Sequence, residues 1–345
     1  MIPAILSIFY FVSLLFIFAF SMTQLSLVYF FHRQRKAVPS QPEPLAEDKL
    51  PRVTVQLPLY NERYVAERLI DCVARIDYPA TLLEIQVLDD STDDTVEIVA
   101  AKVAEWREKG IDVQHVRREK RTGYKAGALA YGLEKAKGEY VAIFDADFLP
   151  PEDFLRRTLP YFQDEKVGLV QTRWGHINEN YSILTRLQAF GLNGHFIVEQ
   201  CGRNQAGSFI NFNGTAGIWR RQCIDDAGGW SDDTLTEDLD LSYRAQMRGW
   251  RFRYLPDVVT PAELPIIMPA IKSQQYRWNK GGAETARKHL ARVLAQPGLR
   301  PLTKLHALFH LASSSVFLGL FVATVLSLPL LLMKQTLPAI ALLFH

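Results

Sequence analysis

Two carboxylates two residues apart, Asp145 and Asp147, close the run 140–148, which reads YVAIFDADF. Tyr140, Val141, Ile143 and Phe144 favour an extended chain, in which residues i and i+2 project to the same face. A strand of this kind delivers both carboxylates side by side at the end of a sheet. Oxygen ligands suit a hard cation, Mg²⁺ or Mn²⁺, and such a cation can in turn hold a diphosphate. A strand that simply ends in an acidic turn is the plain alternative, and this pair alone does not decide between them.

Four more groups could carry chemistry. Asp89 and Asp90, in QVLDDSTDDT, could accept hydrogen bonds from a base N–H or a ribose hydroxyl, or belong to a polar loop capping the next helix. Lys125, in RTGYKAGAL, opens a helix, where a cation opposes the dipole and an anionic ligand nearby is favoured; a solvated lysine is the other reading. Asp238, in LTEDLD, suits a helix's first turn, where the dipole stabilises acids, and equally suits a general base that takes a proton from an attacking hydroxyl. Gln274, Arg277 and Trp278 stand at i, i+3 and i+4 and share one helical face. The indole can stack on a sugar, the guanidinium can grip phosphate oxygens and the amide can bond hydroxyls. Tryptophan beside arginine at a membrane interface is the competing reading. There is no Ser–His–Asp pattern, and His176, His195 and His289 lack ligand spacing and read as structural.

The elements that position these groups follow from periodicity. Short apolar strands at 53–57, 84–88, 111–116 and 140–144 alternate with amphipathic helices at 62–75, 93–109 and 125–137. Asp94 and Glu97 have capping-box spacing, and Gly110 and Gly138 stand as helix stops. The alternation predicts a parallel, doubly wound α/β sheet covered on both faces, with ligands beyond the carboxyl ends of its strands. Tyr60, Asn61 and Glu62 follow the first strand there. No G-x-G-x-x-G and no GxxxxGK[ST] occurs, which excludes an ordinary dinucleotide-binding domain and most ATPases. Beyond Pro150 the pattern predicts strands at 167–171 and 251–255, helices at 182–201 and 235–248, and a glycine-bearing strand or turn at 209–219.

At 345 residues the chain can bury one large domain plus extras. Apolar residues make up 48% beside 22% charged ones, which requires the apolar residues to be concentrated. They are, in 1–31, which holds no Lys, Arg, Asp or Glu, and in 305–333; a bilayer core needs about 20 residues. The first run lacks the basic start and cleavage site of a secretory signal. His32, Arg33, Arg35 and Lys36 follow it, and Lys288, Arg292, Arg300 and Lys304 precede the second, so both basic flanks face the middle region and place it in the cytoplasm. Net charge is only +2, which implies no nucleic-acid partner. Three scattered cysteines suit a reducing cytosol. The expected organisation is a transmembrane helix at 1–31, a basic and proline-rich linker at 32–51, a cytosolic domain at 52–262, an amphipathic interface segment at 263–304 and a membrane segment at 305–345.

Taken in order, Asp90 (with Asp89), Asp145/Asp147, Thr236–Glu237–Asp238 and Gln274/Arg277/Trp278 resemble the Asp, DxD, TED and QxxRW pattern of family-2 processive glycosyltransferases of the cellulose-synthase-like kind. The strings QLPLYNE, VLDDSTDDT, GYKAGALA, VAIFDADF, FNGTAGIWR, AGGW and QQYRW look similar to the mannan and glucomannan synthase-like group, over about 52–290. The resemblance implies a Rossmann-like GT-A fold flanked by transmembrane helices, acting at the plasma (inner) membrane. It implies a nucleotide-diphospho-sugar donor, GDP-mannose or UDP-glucose, and Mg²⁺ or Mn²⁺ as cofactor. Asp89, Asp90 and Lys125 would bind the nucleotide, Asp145 and Asp147 the metal and diphosphate, and Arg277 the diphosphate. Asp238 would be the base, with Trp278, Gln274, Glu237, Phe212, Asn213 and Gly214 on the acceptor. One displacement at the anomeric carbon would convert an α-linked donor into a β-linked product. Two acceptors stay open: a growing β-glycan, or a lipid that takes one sugar as in ceramide glucosyltransferases. Exporting synthases carry several transmembrane helices after QxxRW, whereas 305–333 is followed here by a short apolar tail, which leaves three readings open: a truncated version, a chain that pairs with others, or one that does not export its product.

Overall fold

The computed structural model describes residues 2–36 and 42–333; the apolar tail 337–345 and Pro39 of the linker lie outside them. Helix α1 (Ile2–Lys36) precedes β1 (Val53–Leu59), α2 (Ala66–Ala74), β2 (Leu83–Asp89), α3 (Thr95–Glu108), β3 (Asp112–Val116), α4 (Tyr124–Lys135) and β4 (Tyr140–Ile143). These strands form the parallel half of a seven-stranded sheet, in the order β3-β2-β1-β4. Strand β2 is buried along its whole length, as a strand covered by helices on both faces must be. The chain runs outward from β1 to β3 and then returns to β4 on the other side of β1. That reversal opens a crevice at the carboxyl ends of β1 and β4, below Asp145 and Asp147.

The second half departs from an all-parallel sheet. After α5 (Phe154–Thr158), β5 (Val167–His176), α6 (Ile183–Asn193) and α7 (Gln200–Ala206), β6 (Gly217–Arg220) inserts antiparallel to both β4 and β5. Gly217 pairs with Ile143, so β6 starts where β4 ends. The segment before it, FNGT, has to cross the active end of the sheet first, and local periodicity carries no sign of this reversal. After α8 (Arg221–Asp226) and α9 (Glu237–Met247), β7 (Arg251–Ala262) closes the sheet parallel to β5.

Several boundaries differ from the sequence pattern for physical reasons. Asn61 has a positive φ and turns the chain after β1, so α2 begins at Ala66 rather than near Glu62. Asp94 makes no capping bond; Asp93 Oδ1 accepts the Thr95 amide instead. Gly138 is not a helix cap. An added Cβ there would stand 2.4 Å from the Thr54 amide nitrogen, so this glycine permits close approach to β1. The 182–201 helix opens with a Ser182/Thr185 capping box and contains a π-turn at Gly194–Glu199 before continuing as α7. The amphipathic segment is α10 (Met268–Ala295). The apolar run 305–333 divides into α11 (Pro301–Leu311), folded against the domain, and α12 (Ser315–Met333).

Ala4–Arg33 and Ser315–Met333 are long and apolar enough to cross a membrane. Most of their apolar side chains stay outside the core, with Phe18 60% and Phe317 65% exposed, unlike a core helix of a soluble protein. The two helices pack together where Gly319 faces Phe16 and Ile17. The far end of α1 docks on the domain, where Gly202 of α7 meets the Leu27 carbonyl and Ser26 bonds His306 Nε2 at 2.9 Å.

One core feature supports the crossing FNGT segment directly. Trp219 of β6 has no exposed surface and packs with ring centroids 5.5 Å from Phe212, 6.1 Å from Trp230 and 5.3 Å from Phe252. Replacing Trp219 by Ala is expected to destabilise the protein by about 3–5 kcal/mol, because the surrounding rings cannot collapse into the void. Thermal unfolding in detergent checks this; a midpoint equal to wild type would show that the cluster does not hold the fold.

Candidate active site

The end of β4 meets the start of α4 through one ion pair. Lys125 Nζ lies 2.5 Å from Asp145 Oδ1 and donates to the Gly214 carbonyl at 2.9 Å. The lysine that opens α4 against its dipole therefore finds its anion in the protein itself. Burial pulls the Lys125 pKa down, but Asp145 and Glu237 outweigh it and the net shift is upward. The Asp145 amide donates to Thr215 Oγ1, which fixes the FNGT segment over the strand end. Gly214, at φ 79°, is where the chain comes nearest the reacting groups: an added Cβ would stand 3.2 Å from Asp238 Oδ2 and 3.4 Å from Lys125 Nζ.

Asp238 sits in the first turn of α9, its Oδ1 accepting the Leu239 amide at 2.8 Å. Burial pushes its pKa up and Glu237 adds to this, while Lys125 opposes them. Glu237 is raised as well, chiefly by burial. Asp147 is pushed up to about 7 by burial, then by Asp145 and by Glu62. A buried carboxylate in that state suits a proton acceptor or a cation ligand better than a helix cap.

The nucleotide side is built differently from a pair of free aspartates. Asp90 is held by a two-pronged contact from Arg118, whose Nε lies 2.9 Å from Oδ1 and whose Nη2 bonds Oδ2. Arg118 also reaches the Thr122 and Tyr124 carbonyls, so Asp90 orders the loop leading into α4. Asp89 stands behind it, with 1% exposed surface. It accepts the Ser91 amide and pairs with His115 Nε2 at 2.8 Å, and these bonds hold its pKa down against burial. Asp89 was expected at the donor; its oxygens are engaged inside the fold because it is the last residue of a strand covered on both faces. Phe212 was expected in the acceptor channel, yet its ring is fully buried against Trp219 and Trp230. Asn213, next to it, is partly exposed and takes a bond from Asn211 at 2.8 Å.

Gln274, Arg277 and Trp278 lie on α10 and make no hydrogen bond to another described residue. Arg277 is exposed and Trp278 half-buried. One turn further, Gly281 presses against Thr236, the residue just before Glu237 and Asp238. The face carrying Gln274, Arg277 and Trp278 thus overhangs the start of α9. Of the expected site residues, Lys125, Asp145, Gly214 and Asp238 come together, Asp89 and the Phe212 ring are buried away from them, and Gln274, Arg277 and Trp278 lie on α10 one to two turns before the Gly281–Thr236 contact. Sequence reasoning gave no site role to Glu62, Arg118 or Arg121. The Arg121 guanidinium stacks 3.3 Å from the Tyr60 ring centroid. The available signal was position: Tyr60 and Glu62 follow β1, and the RREKR run follows β3.

No group of three or more His, Cys, Asp or Glu among the described residues is placed to hold a metal alone. The fit to a hard cation rests on Asp147, to which no other side chain among the described residues donates and which feels the charges of Asp145 and Glu62. Oxygen donors short of a full shell suit an ion whose remaining positions are filled by diphosphate and water.

A mixed α/β sheet with its carboxylates gathered at the switch point, and an acidic pair opening a later helix, defines a GT-A domain. The description "Glycosyltransferase like family 2" matches residues 51–281, and the chain belongs to that family. Among curated relatives, it is 41% identical over 278 residues to glucomannan 4-beta-mannosyltransferase 1 of Oryza sativa subsp. japonica, covering 79% of this chain and 53% of the relative. It is 44% identical over 266 residues to glucomannan 4-beta-mannosyltransferase 1 of Cyamopsis tetragonoloba, covering 76% and 51%. The chain spans about half the length of the curated relatives it matches. Among solved structures, it is similar in fold to the mannosyltransferase PcManGT of Pyrobaculum calidifontis in complex with GDP-Man and Mn²⁺, with TM-score 0.69, 24% identity and 98% and 90% of the two chains covered. It is also similar to S. aureus TarS 1–349 in complex with UDP-GlcNAc, with TM-score 0.55, 17% identity and 76% and 72% covered.

Proposed function

We propose that this chain is a membrane-anchored inverting hexosyltransferase that moves mannose from GDP-mannose onto a β-linked glycan. The observation that carries the reading is the convergence of Asp238, Lys125, Gly214 and Asp145 at one end of the sheet. It puts a raised-pKa carboxylate within one small residue of a cation–carboxylate pair at the switch point. Mannose as the sugar, and GDP as its carrier, are supported by the names of the curated relatives and by the PcManGT complex.

Asp145 and Asp147 would hold Mg²⁺ or Mn²⁺, which neutralises a leaving diphosphate when bound. Lys125 and Arg277 face the same charge, and Asp90 with Arg118 orders the loop beside the nucleotide. Trp278 and Gln274 hold the acceptor sugar, with Asn213, Gly214 and Glu237 lining its approach. The acceptor hydroxyl oxygen bonds to the anomeric carbon as the carbon–diphosphate bond breaks. Asp238 takes the hydroxyl proton, and the diphosphate leaves with the bonding electron pair. A single displacement inverts the centre. The basic flanks of both spans support a domain at the cytoplasmic face, anchored in the plasma membrane.

Calorimetric titration of the purified chain with GDP and with UDP, each with and without Mn²⁺, tests the donor. GDP is expected to bind more tightly and only with the cation; tighter UDP binding would move the donor to UDP-glucose. Product length from labelled donor then separates glycan extension from transfer of one sugar to a lipid.

A further inference from the structure

Asp240 lies two residues beyond the base and has no contact with the cleft, yet it is the most heavily bonded carboxylate of α9. It is fully buried. His289 Nε2 reaches its Oδ1 at 2.7 Å and Lys288 Nζ the same oxygen at 2.6 Å, while Arg244 Nε donates to Oδ2 at 2.8 Å with its Nη2 paired to the same oxygen at 2.8 Å. Two of these three partners come from α10. Further rungs join α10 to the segment 233–236 that leads into α9. Lys288 Nζ also meets Asp233 at 2.7 Å, Thr285 Oγ1 meets Thr236 Oγ1 at 3.2 Å, and Glu284 Oε2 accepts the Leu235 amide at 2.9 Å.

The last rung is a glycine. A Cβ added at Gly281 would stand 2.5 Å from Thr236 Cγ2, 2.8 Å from its Oγ1 and 2.9 Å from its backbone nitrogen. Backbone cannot swing aside, so any side chain at 281 would push α10 off the start of α9. Upstream of Gly281 the hydrogen bonds between the two helices stop. Gln274, Arg277 and Trp278 stand three to seven residues before Gly281 on its own face of α10. Their placement over Asp238 is therefore set by the rungs behind them.

We propose that Asp240 and Gly281 are positioning residues for transfer. Together they lock the register of α10 on α9 and so hold the acceptor-binding face at attacking distance from Asp238. This rests on the reading of Asp238 as base and Trp278 as acceptor platform. A lock of this kind acts chiefly on the acceptor, because of the donor groups only Arg277 rides on α10, while Asp90 follows β2, Asp145 and Asp147 follow β4 and Lys125 opens α4.

The test uses the full chain in detergent with GDP-mannose and a glycan acceptor, and compares Gly281→Ala and Lys288→Ala with wild type. Transfer is expected to fall by about a hundredfold in Gly281→Ala, since a displacement near 1 Å is worth about that much. GDP affinity should fall far less than transfer, since only Arg277 of the donor groups lies on α10, and a larger share of consumed donor should appear as free mannose. Lys288→Ala, which removes two rungs without touching the glycine contact, should shift the same partition in the same direction. Wild-type transfer in Gly281→Ala, or transfer and hydrolysis falling together with the melting temperature, would overturn the positioning role alone. A wild-type chain that consumes no nucleotide sugar would overturn the proposed function, and this inference with it.

Discussion

Replacing Asp238 by Asn is expected to lower transfer by about 10²–10⁴-fold, the range that loss of a positioned general base produces. Nucleotide affinity should be unchanged, because the amide keeps the shape and the Leu239 contact while losing the capacity to take a proton. The same substitution should raise the melting temperature above pH 6. Burial and Glu237 push the Asp238 pKa up, so the folded state binds a proton that the unfolded state has already released. Stability then falls as pH rises from the ordinary carboxylate range towards the raised value, and a neutral side chain removes that loss. Activity runs the other way, since only the ionised base accepts a proton, so the pH profile of wild-type kcat/KM should show an acidic limb. Loss of activity together with a gain in stability would mark a carboxylate kept for function. Unchanged transfer in Asp238→Asn would remove the base from Asp238.

The parts of this site legible in the sequence are those set by local pattern. Asp145 and Asp147 were visible because β-formers end abruptly in an i, i+2 acidic pair, and α9 because Asp238 opens an amphipathic run closed by Gly249. What could not be read is which loops meet. Nothing local to Arg118 says that it grips Asp90, or that Lys125 answers Asp145. The antiparallel entry of β6 follows from the FNGT segment crossing the sheet end, a long-range event with no periodic trace. Gly138 and Gly281 look like helix punctuation or filler, yet each is required by a neighbour distant in sequence. The apolar run 305–333 concealed a break, because α11 is apolar on the face it turns to the domain and α12 is apolar all round.

The second large effect falls on the carboxylate pair. Burial first, and then the Asp145 charge, push up the pKa of both Asp147 and Glu62, and Lys125 is bonded to Asp145 alone among the three. In the cation-free protein the three therefore repel, with Asp147 pushed up to about 7. A divalent cation at that point reverses the sign: it draws Asp147 into the ionised state and links folding to binding. Mn²⁺ with GDP should accordingly raise the melting temperature of wild type, and more at pH 8 than at pH 6, where Asp147 still holds its proton. Asp147→Asn should be at least as stable as wild type without metal and should gain little from Mn²⁺. Its transfer rate should fall by more than about a hundredfold, because even the outer partners of metal ligands are worth about 10–100-fold. Asp145→Asn should show the same loss of response and also free Lys125, whose only other hydrogen bond is to the Gly214 carbonyl. Thermal shift across both pH values, with Mn²⁺ and with EDTA, reads these outcomes. A full Mn²⁺ response in Asp147→Asn would move the cation off this pair and leave Lys125 and Arg277 to carry the diphosphate.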